Sequence, residues 1–197
     1  DLDGDNEVGG ASITNYKPNG VTFTSSTNKV SYTIESAFNL PNSEISKSGY
    51  TFGGWKVTTT AGNWAKVGTE LDKGYKVDDK YGTVTVEAIW NTVSYEITLI
   101  LDSGEVTNGS IVNYEPSTAS YSNKVITYNI ESVFNLPSAI QTKKNGYKLL
   151  NWKITTTGGN WANKDTELGV SAEIDDKRGD VSLTAVWSVV DFYITLD

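Results

Sequence analysis

The chain has 197 residues, 24 acidic and 16 basic side chains, a formal net charge of −8, and no His, Cys or Met. That composition excludes a Ser-His-Asp triad, a His-ligated zinc, a thiolate nucleophile and a disulfide framework. The acidic balance argues against nucleic acid as a partner, and no apolar run approaches the roughly 18 residues of a bilayer span.

The chain opens on Asp1-Leu2-Asp3-Gly4-Asp5-Asn6-Glu7. Asp1, Asp3 and Asp5 have the carboxylate spacing of a calcium loop, but an EF-hand also needs Gly at its sixth position and a bidentate Glu at its twelfth. Asn6 and Ser12 stand there, so the plainer reading is a solvated acidic turn. Val30, Tyr32 and Ile34 then alternate with polar residues, the pattern of a half-buried strand. Asn42 to Ser48 follows Pro41 and precedes Gly49, which predicts a helix of one or two turns. Tyr50 to Val57 reads as a strand, and Gly62-Asn63-Trp64 sets an indole among polar residues. Asp78 to Gly82 is a turn signal. Val84, Val86, Ala88 and Trp90 form the inward row of the next strand, and Tyr95, Ile97, Leu99 and Leu101 form another.

From there the chain repeats itself. Asn15-Tyr16-Lys17-Pro18 returns as Asn113-Tyr114-Glu115-Pro116, Phe38-Asn39-Leu40-Pro41 as Phe134-Asn135-Leu136-Pro137, and Gly62-Asn63-Trp64-Ala65 as Gly159-Asn160-Trp161-Ala162. All six tryptophans obey the repeat: Trp55, Trp64 and Trp90 map to Trp152, Trp161 and Trp187. The second predicted helix is Ser138 to Asn145, with Lys143 and Lys144 near its end. The expected organisation is one module over residues 1–93, a second over 94–191, and the start of a third over 192–197.

Phe192 to Leu196 repeats Tyr95 to Leu99, so the chain reads as a tandem array cut at both ends. A first module lacking its first strand would have an open sheet edge, which Phe192 to Leu196 of a neighbouring molecule would fill. The other reading closes the first module with Tyr95 to Leu101. The sheet that Ile97 joins decides between them, and a terminal strand left unpaired in solvent would defeat the exchange.

The succession YEITLILDSGE, FNLP, GYTFGGWKV and VTVEAIW resembles the Listeria–Bacteroides repeat, the B-repeat of internalin-type bacterial surface proteins. Gly49, Tyr50, Thr51, Phe52, Gly54 and Trp55 carry its most specific stretch, and Thr85, Val86, Ala88 and Trp90 its closing one. The second copy matches through Gly146, Tyr147, Trp152, Leu183, Ala185 and Trp187, with Asn151 in place of the Gly and Leu149 of the Phe. The units are longer than the usual copy. The resemblance implies an α+β, predominantly β fold: two tandem β-grasp, ubiquitin-like modules, each a mixed sheet with one short helix. It also implies an extracellular parent, on a bacterial surface or secreted.

The function expected is that of a non-catalytic tandem repeat, acting as spacer or stalk and as an adhesin-like protein-interaction module. Its partners would be a protein or glycan on a host or neighbouring cell surface and adjacent repeats of the same chain, without cofactor, nucleic acid or membrane insertion. The alternative is a carbohydrate-binding module whose Trp64 and Trp161 stack on sugar rings; the competing role for these indoles is to close small cores. Asp78/Asp79 and Asp175/Asp176 are adjacent in turns and point apart, unlike a glycosidase pair facing across a cleft. Lys56 and Lys153 could form a Lys–Asn crosslink of the adhesin type only if buried beside an Asn and a carboxylate.

Overall fold

The computed structural model describes residues 20–24, 26–43, 45–107, 112–113 and 119–196, with residues 112–113 described by backbone alone. The chain divides into two compact units, Asp1–Thr92 and Val93–Asp197. Both are built of strands, as abundant Thr, Val and Tyr favour.

The first unit holds β1 (Thr22–Thr24), β2 (Lys29–Ser31), β3 (Phe38–Asn39), β4 (Tyr50–Thr60), β5 (Glu70–Leu71), β6 (Lys76–Val77) and β7 (Val84–Thr92). Strands β1 and β2 form a hairpin with Phe23 opposite Val30. The long β4 pairs antiparallel with β7 along its length and with β5 on its other edge. Strands β3 and β6 make a short separate ladder. Trp55 is buried at the centre, its indole N–H donating to the Pro41 carbonyl at 3.1 Å. Phe38, Leu40, Ile45, Phe52, Val57, Trp64, Leu71 and Val77 complete this core.

The second unit holds β8 (Tyr95–Ile100), β9 (Glu105–Val106), β10 (Val112–Asn113), β11 (Ser120–Ser122), β12 (Val125–Tyr128), β13 (Phe134–Asn135), β14 (Thr142–Lys143), β15 (Tyr147–Thr156), β16 (Glu167–Gly169), β17 (Glu173–Ile174) and β18 (Val181–Val189). Six of these form one mixed sheet in the order β11-β12-β8-β18-β15-β16, in which only β8 and β18 run parallel. Its core repeats the first: Trp152 donates to the Pro137 carbonyl at 3.0 Å, among Phe134, Leu136, Leu149, Ile154, Trp161 and Ile174.

The β-grasp expectation is overturned. Among the described residues neither unit contains an α-helix, and the strands are spread over several sheets, one of them six-stranded and mixed. Neither predicted helix forms, and for the second the reason is local. In Ser138 to Asn145, the Ser138 N–H donates to the Gln141 side chain at 3.0 Å, and the Gln141 N–H donates back to the Ser138 carbonyl at 3.1 Å. This closes a turn, after which Thr142 and Lys143 pair with Val106 and Glu105 as a strand. The Thr142 hydroxyl also donates to the Ser138 carbonyl at 3.2 Å, and side-chain bonds of this kind compete with the helical ladder. Nor is there an apolar face to bury, since Ile140 is 92 % exposed. In the first unit Asn42 and Ser43 form bends, Ile45 to Lys47 has no regular structure with Ile45 buried, and Ser48 enters a turn.

Ile97 joins the second unit's sheet. It stands opposite Ile126 of β12 and Val181 of β18, so β8 closes the second unit and not the first.

Candidate functional site

The Gly-Asn-Trp corners are built alike in both units. Trp64 donates its indole N–H to the Tyr32 hydroxyl at 2.6 Å, and Trp161 to the Tyr128 hydroxyl at 2.7 Å. The hydroxyls in turn donate to the carbonyls of Gly82 and Gly179. Each ring pair is edge-on, with centroids 6.0 and 6.2 Å apart, a favoured aromatic geometry. The asparagines lock the neighbouring turn. Asn63 accepts from the Tyr81 N–H at 2.9 Å and donates to the Asp79 carbonyl at 2.8 Å; Asn160 does the same to Arg178 and Asp176. The backbones touch at the glycines: a Cβ on Gly62 would lie 2.1 Å from the Tyr81 carbonyl oxygen, and one on Gly159 2.0 Å from that of Arg178.

Trp64 and Trp161 are therefore 9 % and 8 % exposed, members of their cores. So little open ring face leaves no platform for a sugar to stack on. Burial pushes the Tyr128 hydroxyl up to about 12, against an ordinary value of 10, and the nearby Asp180 charge adds to it. The Trp161 hydrogen bond opposes both.

Charged candidates lie on the surface. Asp78 pairs with Lys76 at 2.6 Å, and that hydrogen bond holds its carboxyl below the usual range. Lys153 pairs with Asp165 at 2.8 Å, which raises the ammonium and lowers the carboxyl. Lys56 is exposed, so neither crosslink candidate has the burial that reaction needs. Among the described residues no group of three or more carboxylates could hold a metal ion. Asp1, Asp3 and Asp5 lie outside the described residues.

The open edge that the sequence reading raised for the first module has a concave site beside it. A cavity of about 630 Å³ opens between β2 and β7, lined by Val30, Tyr32, Phe38, Trp55, Val84 and Val86 among others. Its place is defined by the second unit, where β8 runs between β12 and β18. There Ile126, Val181, Leu183 and Ala185 are buried. Their counterparts Val30, Val84, Val86 and Ala88 are only half-buried. Trp187 donates its indole N–H to the Leu101 carbonyl, whereas the buried N–H of Trp90 has no acceptor among the described residues. The sequence signal was there in the repeat, but placing the slot needs a parallel strand pairing that no local pattern reveals.

No protein-family model, curated protein or solved structure matches the chain.

Proposed function

We propose that the chain is a non-catalytic tandem repeat from an extracellular protein, on a bacterial surface or secreted, acting as spacer and protein-interaction module. The observation that carries this reading is what the duplication preserves. The residues shared by both copies are those that build each core: the Trp55/Trp152 indole bonds to proline carbonyls, the Trp64/Trp161 latches and the asparagine-locked turns. Repetition of a self-contained shape provides length, and the −8 charge keeps neighbouring modules soluble. The sequence motifs resembling the Listeria–Bacteroides repeat support the surface location; the fold attributed to that resemblance does not enter.

Two experiments test it. Antibodies raised against the chain should label intact cells of its source or its culture medium, with the epitope destroyed by external protease; a signal found only after lysis refutes the location. A glycan array probed with the chain should stay blank, and sugar binding that Trp64→Ala removes without unfolding would replace this reading with the carbohydrate-binding one.

A further inference from the structure

We propose that the slot between β2 and β7 is a strand-acceptor site, and that its occupant is the segment Phe192–Leu196 of a second copy of this chain. The inference goes beyond the spacer reading and stands without it.

The second unit shows what such a slot holds. Strand β8 lies antiparallel to β12, with Ile97 opposite Ile126 and Tyr95 opposite Tyr128. It lies parallel to β18, with Ile97 opposite Val181 and Leu99 opposite Leu183. Its inward residues Ile97 and Leu99 are 0 % and 2 % exposed. In the first unit the corresponding edges are Val30 on β2 with Tyr32 just after it, and Val84 and Val86 on β7. No described strand pairs with the facing edge of either one. An unpaired edge over half-buried apolar side chains is what a β-augmenting strand recognises: main-chain hydrogen bonds hold it and alternate side chains fill the floor.

Phe192-Tyr193-Ile194-Thr195-Leu196 aligns with Tyr95-Glu96-Ile97-Thr98-Leu99 and keeps the Ile-Thr-Leu core. Placed in the slot at the β8 register, Ile194 falls opposite Val30 and Val84, Leu196 opposite Val86, and Phe192 opposite Tyr32. In the single chain, Phe192 is 78 % exposed and Tyr193, Ile194 and Leu196 about nine-tenths exposed, and the segment belongs to no described strand. By the criterion of the sequence reading, that exposed, unpaired state counts against exchange, whereas the open edges of the slot count for it. Pairing between copies needs a second chain, and a tail-to-slot contact uses two different surfaces, so it propagates unless the geometry closes a ring.

The test is sedimentation over a range of concentrations. Three proteins are compared: the 197-residue chain, the chain ended after Asp191, and the full-length Ile194→Asp, Leu196→Asp double variant. The expected result is a weight-average mass that rises past one copy for the first and stays at one copy for the other two. A synthetic Val190–Asp197 peptide should bind the shortened chain and lower the mass of the full-length assembly. Association retained in the shortened chain overturns the proposal. So does a full-length chain that stays monomeric, whether its slot is filled by its own tail, by the residues before Gly20, or by nothing.

Discussion

The indole N–H of Trp187 donates to the Leu101 carbonyl at 3.0 Å, tying the end of β18 to the end of the strand beside it. Trp90 occupies the same position in the first unit, and its buried N–H has no such acceptor among the described residues. A buried donor left unmade costs roughly 1–3 kcal/mol.

That asymmetry predicts unequal mutants. Trp187→Phe loses packing and a hydrogen bond, and should destabilise the second unit by about 2 kcal/mol. Trp90→Phe removes a buried donor that has no acceptor among the described residues, and should cost the first unit less than about 1 kcal/mol. Urea unfolding followed by amide signals from each unit measures both. Equal losses would show that the Trp90 N–H is satisfied in solution.

The glycine contacts predict a second contrast. Gly62→Ala forces a Cβ against the Tyr81 carbonyl oxygen at a φ of +80°, and should cost more than about 3 kcal/mol. Gly68 has a φ of +87° with open space around it, so Gly68→Ala meets only the left-handed backbone penalty of about 1–2 kcal/mol. Thermal unfolding of the two variants checks the order, and a Gly62→Ala protein as stable as Gly68→Ala would contradict the close approach.

Tyr128 gives the chain an alkaline dependence. Its hydroxyl ionises at about 12 when folded and near 10 when free, so the unfolded chain gives up its proton first as pH rises. The folded state then binds more protons than the unfolded one, and stability falls with pH. The contribution is fully present below pH 10 and is lost between about 10 and 12. Tyr128→Phe should lower stability at pH 8, because Trp161 loses one of its two acceptors and the Gly179 carbonyl loses the hydroxyl donor, but should flatten the decline of the second unit above pH 10. Denaturant midpoints measured at pH 8 and 11 decide it, and an unchanged slope removes Tyr128 as the cause.

Much of the strand framework was legible because alternation is a local signal. The rows Ile97, Leu99, Leu101 and Val181, Leu183, Ala185 are buried as their spacing requires. Ile34 shows where that reasoning stops. It continues the Val30, Tyr32 period yet is 51 % exposed, because β2 ends at Ser31 and a Thr33–Ser36 turn follows. The Thr33 N–H donates to the Ser36 hydroxyl at 3.0 Å, and side-chain bonds of this kind override periodicity. Side-chain bonds also replaced the predicted Ser138–Asn145 helix. The Trp–Tyr latches join residues more than 30 positions apart, so only the shared repetition of Tyr32/Tyr128 and Trp64/Trp161 hinted at them. The slot was legible only in part. Matching Phe192–Leu196 to Tyr95–Leu99 raised the prospect of an open edge in the first unit, but its location required seeing which sheet β8 enters.

The central claim is that the first unit offers the berth which β8 occupies in the second. Amide hydrogen exchange tests it most directly. The chain ended after Asp191 is measured with and without the Val190–Asp197 peptide, residue by residue. The account predicts fast exchange at the facing edges of β2 and β7 without peptide, marked protection when it is added, and no change in β12 or β18. Edges of β2 and β7 already protected without peptide, or indifferent to it, would contradict the account.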